Sequence, residues 1–225
     1  MATVKTPFRY PGGKSCYAGL LGEIIRLNNY QGCIYCEPFA GGAGAGLSLF
    51  FDNKVSRLIL NDADPAIYAC WWAIVNKTKP FLAKLKQVPV TIQEWHNQRR
   101  IYRESHRSDL FTLGFATFFL NRCNRSGILD AGPIGGECQT GSYKIGARFN
   151  RKALVGKIEA LGDAKNKIEI YNLDAEELIC KLMHERSSER LFMYLDPPYY
   201  RQGRRLYMNS FSPDDHARYA TLLQE

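Results

Sequence analysis

The segment Asp196-Pro197-Pro198-Tyr199-Tyr200 has residue types suited to activating a weak nucleophile. It follows an apolar run at 191–195 that predicts a buried strand. Ligands of open α/β sheets bind at the carboxyl ends of strands, and two prolines fix the chain there without adding N–H donors. Asp196 and the Pro197 carbonyl could accept the two hydrogens of an exocyclic base amine, and Tyr199 could stack on the ring. The alternative is an apolar strand that simply ends in a proline turn.

A second segment, Glu37 to Gly46, is rich in glycine and lies between a predicted strand and a predicted helix. Glycines let the main chain turn sharply and approach a ligand closely. Asp62 ends the next predicted strand, where a carboxylate can accept both hydroxyl hydrogens of a ribose. The segment lacks the G-x-G-x-x-G spacing of dinucleotide-binding folds, so a nucleoside-bearing ligand fits it better than NAD does. A tight turn and, for Asp62, a helix cap are the simpler interpretations.

The elements around these segments alternate between strands and helices, which predicts a parallel sheet with helices on its faces. Ser15 is a predicted cap of the first helix, and Asp64 with Pro65 begins the third. A stretch of helices and then a long irregular loop interrupt the alternation after about residue 77. The predicted strands are 33–37, 57–60, 167–171 and 191–195; the predicted helices are 15–28, the one ending at about 51, the one from 64, several within 78–121, and 150–162, 174–181 and 212–225, with the loop at 122–149.

The positive charge is concentrated in the middle of the chain. Residues 77–152 hold 14 Lys and Arg against 5 Asp and Glu, whereas the other residues hold 16 against 17. A segment that faces nucleic-acid phosphates would have this bias, and so would a solvated basic surface. The candidates for such phosphate contacts are Arg122, Arg125, Lys144, Arg148, Arg151 and Lys152.

Cysteine usage and hydropathy favour a cytoplasmic protein. Seven scattered cysteines predict reduced thiols, and the pair Cys33 and Cys36 fits buried strand positions better than half of a zinc site. The most apolar stretch, at 114–120, is too short to span a membrane, and residues 1–5 contain no signal region.

Taken together, these segments resemble the Dam-like DNA adenine-N6 methyltransferases. The matches keep the order of the family's motifs, and their combination is far more specific than any one of them. They are Phe8 to Lys14 (the N-terminal motif), Glu37 to Gly44 (the first S-adenosylmethionine motif), Asn61-Asp62 (the ribose position), Asp196 to Tyr199 (the catalytic motif), and Phe119 to Arg122 with Arg148 to Asn150 (the edges of the DNA-recognition insert).

The resemblance implies a Rossmann-like AdoMet-dependent methyltransferase sheet, formed by residues 1–76 and 150–225, with an inserted, mainly helical DNA-recognition region at 77–149. It implies direct methyl transfer from S-adenosylmethionine (AdoMet) to N6 of an adenine flipped out of double-stranded DNA, without a metal. Asp174 is expected near the AdoMet adenine, although it could equally cap the helix that follows it. The implied catalytic residues are Asp196, Pro197, Pro198 and Tyr199, and the implied cofactor contacts are Tyr10, Lys14, Glu37, Phe39, Gly41, Gly42, Asp62, Asp174 and Asp196.

The chain departs from the family pattern in two places. Ala43 stands where glycine is frequent, and we expect the neighbouring Gly42 and Gly44 to supply the required flexibility. Compared with the family pattern, the C-terminal strands that usually complete the sheet are expected to be missing, which predicts a sheet of about four strands unless a partner chain supplies the rest. A cytosine-N4 methyltransferase and an inactive AdoMet- or DNA-binding module are the competing interpretations. The expected setting is the nucleoid of a bacterium or the DNA of a phage.

Overall fold

A computed structural model gives the structure of the chain and describes residues 6–9 and 13–197. Its centre is a four-stranded parallel sheet of β1 (Ile34–Glu37), β2 (Arg57–Asn61), β3 (Ile168–Tyr171) and β4 (Leu191–Met193). The strand order is β3-β2-β1-β4. The predicted parallel sheet is confirmed; within the described residues it has four strands, and β4 lies at its edge.

Eight α-helices lie within the described residues, and most begin where the sequence predicts. Asp64 caps α3 by accepting a hydrogen bond from the Ala66 N–H at 2.8 Å, with Pro65 in the first turn, as predicted. Ser15 is not a cap, because residues 14–17 form a 3₁₀ turn and α1 begins only after it. The predicted helix at 212–225 lies outside the described residues. The helices are α1 (Ala18–Leu27), α2 (Gly44–Phe51), α3 (Pro65–Asn76), α4 (Thr78–Gln87), α5 (Ile92–Arg103), α6 (Leu110–Cys123), α7 (Arg151–Asp163) and α8 (Ala175–Glu185).

The two faces of the sheet pack against different helices because successive strand side chains alternate in direction. Tyr35 and Leu58 point into the larger core, which includes residues of α1, α2, α3, α6 and α7. Cys36 and Ile59 point to the other face and pack against α8. Cys33 and Cys36 are buried as predicted, with Cys36 in β1 and Cys33 immediately before it.

The helices of the predicted insert share the larger core with the sheet. Phe81 of α4 and Phe118 of α6 lie 5.2 Å apart, centroid to centroid, and both belong to that core. Gly114 lets α6 approach α3 closely, since a side chain there would collide with the Ala69 carbonyl. Helices α4 and α6 are therefore packed into the same core as the sheet.

Two buried asparagines organise the irregular segment that follows α6. Asn121 donates to the Arg9 and Gly127 carbonyls and accepts from the Arg9 N–H at 2.8 Å. Asn124 accepts from the Trp95 indole N–H at 2.6 Å and donates to two carbonyls of the loop. Because these amides replace the missing regular structure, residues 124–150 keep a defined path with only short 3₁₀ turns. No helix of the described ranges is long and apolar enough to cross a membrane.

Asn61, at the end of β2, joins the carboxyl ends of three strands. Its amide N–H groups donate to the Pro38 carbonyl at 2.9 Å and the Leu173 carbonyl at 3.0 Å, and its oxygen accepts from the Leu173 N–H at 2.9 Å. The side chain is buried, so water cannot replace these partners.

Replacing Asn61 with the nearly isosteric leucine should lower the free energy of unfolding by about 2–4 kcal/mol, because it leaves buried main-chain groups unpaired. Urea denaturation would measure the change. Asn172→Leu is the matched control, since the exposed Asn172 makes one hydrogen bond, to the Asp62 carbonyl, and should cost less than about 1 kcal/mol. Equal losses in the two variants would contradict the role of Asn61.

Candidate active site

Acidic side chains lie at or just beyond the carboxyl ends of all four strands. Since the strands are parallel, these ends lie on one edge of the sheet. The chain runs from β1 outward to β2 and β3 and then returns to the other side of β1 for β4. A crevice between β1 and β4 is therefore expected at this topological switch point. The acids are Glu37, Asp62, Asp174 and Asp196.

Asp196, the predicted catalytic carboxylate, forms an ion pair with Lys14. The Lys14 side chain is 16% exposed and that of Asp196 is 29% exposed, so both are accessible from one side. The pair joins the N-terminal motif to the catalytic motif across the sheet edge. The sequence anticipated Lys14 as a cofactor contact, and the structure adds Asp196 as its partner.

Glu37 lies beneath the site. It is 5% exposed, and its Oε1 atom accepts a hydrogen bond from the Gly46 N–H at 2.7 Å. Burial raises the pKa of Glu37 from 4.5 to about 7, the Gly46 N–H opposes this shift, and nearby Asp196 adds to it. Glu37 therefore anchors the first turn of α2, and its pKa depends on the charges of Asp196 and Lys14.

The glycine-rich loop is held by side chains that reach its main chain from three directions. The Gly41 N–H donates to Asp62 Oδ2 at 2.9 Å, and the Gly41 carbonyl accepts from the Trp71 indole at 2.9 Å. The Gly42 carbonyl accepts from the Thr6 hydroxyl at 2.5 Å. Gly41 has φ +45°, a conformation that favours glycine. The sequence singled out neither Thr6 nor Trp71, because a hydrogen bond to a distant main-chain group leaves no spacing signal.

Asp62 is half-buried and supports the loop through both carboxylate oxygens. Its Oδ1 atom accepts from the Asp64 N–H at 3.0 Å, while Oδ2 holds Gly41. Burial raises the pKa of Asp62 to about 7, and the two N–H donors oppose that shift. Each oxygen keeps a second lone pair that can accept a hydroxyl hydrogen. The helix-cap interpretation does not apply to Asp62, because Asp64 occupies the cap of α3.

Ala43 itself adopts the left-handed conformation, with φ +46°, at the start of α2. We expected Gly42 and Gly44 to supply the required flexibility so that Ala43 could avoid a positive φ, and this expectation is wrong. Gly44 and Gly46 are instead required by packing: a Cβ atom on Gly44 would collide with the Ser15 hydroxyl, and one on Gly46 would lie 2.9 Å from Glu37 Oε1.

Two further predicted cofactor contacts lie near the ends of β1 and β3. Phe39 is half-buried and packs against a small apolar cluster of Ala175 and Ile179. Asp174 caps α8, since its Oδ1 atom accepts from the Glu176 N–H at 2.9 Å. Its predicted contact with the AdoMet adenine stays a prediction. Tyr10, Pro198 and Tyr199 lie outside the described residues.

The predicted DNA-binding cations fall into two groups. Arg122 donates to the Pro7 carbonyl at 3.3 Å and to the Arg148 carbonyl, and burial lowers its pKa to about 10, helped by Arg9. Arg151 donates to the Leu85 carbonyl and, at 2.8 Å, to the Val88 carbonyl. These two guanidinium groups hold main chain together. The remaining four are exposed: Arg125, Lys144, Arg148 and Lys152.

Comparison with known proteins identifies the family to which these features belong. The family model of the D12 class N6 adenine-specific DNA methyltransferases matches residues 10–225. The chain belongs to this family. Its reaction is thus AdoMet-dependent methylation of adenine in DNA, which confirms the predicted activity, cofactor and DNA substrate and sets aside the cytosine-N4 alternative. No curated protein matches the chain.

The buried Glu37 of this methyltransferase predicts a pH-dependent stability. Because the folded protein binds a proton that the unfolded chain releases between pH 4.5 and about 7, Glu37 makes folding less favourable as pH rises through this range. In Glu37→Gln this contribution is absent. Relative to wild type, its free energy of unfolding should rise between pH 5 and pH 8 by up to about 3 kcal/mol.

Thermal and urea unfolding without cofactor at several pH values would measure this difference. Glu177→Gln, at an exposed position on α8, is the control and should leave the pH profile unchanged. A Glu37→Gln profile parallel to that of wild type would contradict the assignment.

Proposed function

We propose that this D12 methyltransferase transfers the methyl group directly to N6 of an adenine flipped out of the duplex, with Asp196 as the amine-binding carboxylate. The observation that carries the proposal is the Lys14–Asp196 ion pair at the β1/β4 switch point. It supports a carboxylate that is charged, oriented and accessible where a ligand of an open α/β sheet would bind.

The donor set at this edge fits AdoMet. The cofactor carries a sulfonium and an ammonium group, and the carboxyl groups of Asp62, Asp174 and Asp196 lie at this edge with Glu37 buried beneath them. We assign the ribose hydroxyls to Asp62, whose oxygens keep free lone pairs, and an apolar wall to Phe39. Gly41 and Gly42 would set the shape of the pocket through the loop that Thr6 and Trp71 hold in place.

AdoMet supplies a methyl group made electrophilic by its bond to a positively charged sulfur. The amine of adenine is a poor nucleophile because its lone pair is delocalised into the ring. Asp196 and the Pro197 carbonyl accept its two hydrogens, which favours a pyramidal nitrogen with an available lone pair. Transfer would form the nitrogen–carbon bond and leave sulfur with the electron pair of its former bond to carbon, and Asp196 would take the amine proton that is lost. Lys14 holds the carboxylate in position throughout.

We assign DNA binding to the region 77–149 and to the start of α7. Its exposed cations, Arg125, Lys144, Arg148 and Lys152, lie on or next to the irregular loop that Asn121 and Asn124 organise. Phosphate contacts need exposed cations, so these four are better candidates than Arg122 and Arg151. Because its substrate is DNA, we expect the enzyme to act in the cytoplasm alongside the chromosome or phage DNA.

Asp196→Asn should lower the rate of methyl transfer to unmethylated DNA about 10²- to 10³-fold. The neutral amide cannot take up the amine proton, and it carries no negative charge to strengthen its hydrogen bond to the amine. Labelled AdoMet, followed by digestion to nucleosides, would measure N6-methyldeoxyadenosine. Asp163→Asn, at an exposed position ending α7, is the control. Intact AdoMet binding by wild type without any transfer would instead favour an inactive binding module.

Lys14→Gln should reduce transfer about 10- to 100-fold, which corresponds to the loss of one charge-assisted hydrogen bond. Lys14→Arg keeps the charge and should retain more activity than Lys14→Gln. Single-turnover rates at saturating AdoMet would separate this effect from weaker cofactor binding. Equal rates in both variants and wild type would show that Lys14 does not position Asp196.

A further inference from the structure

The outward face of α5 carries a row of cations that the candidate site does not use. Helical spacing of three and four residues places His96, Arg99, Arg100 and Arg103 on one side of the helix. With Glu104 they line a shallow depression. The opposite side of α5 buries Trp95 and Gln98, so packing directs the cations outward. We call His96, Arg99, Arg100 and Arg103 the α5 row.

The fold makes little use of the charges in this row. Within residues 6–9 and 13–197, no carboxylate lies within ion-pairing distance of Arg99, Arg100 or Arg103. Arg99 lies over the Trp95 ring at 4.7 Å, and His96 Nε2 is 3.6 Å from Glu137 Oε2. The guanidinium groups of Arg122 and Arg151, by contrast, donate hydrogen bonds to main-chain carbonyls. A row of arginines without acidic partners suits an anionic ligand.

The α5 row is continuous with the loop to which we assign DNA binding. Trp95 bonds Asn124 at the base of the loop, and His96 meets Glu137 farther along it. Tyr102, near the end of α5, packs against the apolar cluster of Ala66, Ala69 and Leu113, which includes the first turn of α3; burial and the charges of Asp130 in the loop and Asp64 raise its pKa. Helix α5 therefore adjoins both the loop and the carboxyl edge of the sheet.

We propose that the α5 row binds the phosphate backbone of duplex DNA that flanks the target adenine. At 1.5 Å per residue the row extends about 10 Å, roughly three base pairs along a duplex. Arg100 and Arg103 are exposed and Arg99 is half-buried against Trp95. Arginines on one helix face fit a repeating phosphate chain, and phosphate contacts position a duplex without reading its sequence. This inference rests on the DNA binding assigned above to the region 77–149 and names the part of that region that contacts flanking DNA.

The test compares two triple variants by fluorescence anisotropy on duplexes of about 12 and about 30 base pairs across a salt series. Arg99/Arg100/Arg103→Gln removes the arginines of the row. Lys54/Lys165/Lys167→Gln is the matched control, since these exposed lysines precede β2 and β3 at the opposite edge of the sheet. Arg100/Arg103→Gln leaves the Arg99–Trp95 contact intact and guards against an effect on folding.

On the longer duplex, loss of the row should reduce the slope of log affinity against log salt by about 2–3, with little change on the shorter one. The control should leave both slopes near the wild-type values. An unchanged slope on the longer duplex, or the same change in the control, overturns the proposal. An equal loss on both duplexes overturns the assignment to flanking DNA. Methyl transfer by wild type is measured in a separate assay. If the catalytic role proposed for Asp196 fails there, the salt slopes still report DNA binding by the α5 row.

Discussion

The carboxyl edge of the sheet depends on one buried amide. Asn61 ties the end of β2 to Pro38 after β1 and to Leu173 after β3, so three strand ends keep a fixed spacing. The neighbouring Asp62 then reaches the Gly41 N–H. Without Asn61, the loops after β1 and β3 would lose the side-chain hydrogen bonds that hold them to the end of β2, whereas main-chain pairing would still fix β1 beside β4. The constraint is local in space, although its partners are distant in sequence.

On this fixed edge, two kinds of carboxylate do different work. Glu37 is buried, its pKa is raised to about 7, and its hydrogen bond supports α2. Asp196 is accessible and paired with Lys14. Since like charges repel across the crevice, the cation of Lys14 also makes it easier for Glu37 and Asp196 to lie close together. In our proposal, a cationic cofactor would reinforce the same balance.

The sequence predicted the sheet, most helix boundaries and the position of Asp196, because periodicity and strand-end motifs are local signals. It did not predict that Thr6 and Trp71 would hold the glycine-rich loop, since each contact joins residues far apart in the chain. The prediction for Ala43 was also wrong, because Ala43 itself adopts φ +46° although the flanking glycines were expected to supply the flexibility of the turn. The start of α2 requires that conformation, and propensity alone does not identify which residue of a glycine-rich turn must supply it.

Charge composition located the basic region but could not separate structural arginines from those available to DNA. Arg122 and Arg125 are three residues apart, yet Arg122 bonds main-chain carbonyls while Arg125 is exposed. The distinction arises from packing: Arg122 lies where the N-terminal segment crosses the end of α6, and its carbonyl partners would be unsatisfied without it. The α5 row is the converse case, because its arginines face away from the core. Neutralising arginines solely because they lie in a basic block would therefore confuse loss of fold with loss of DNA binding.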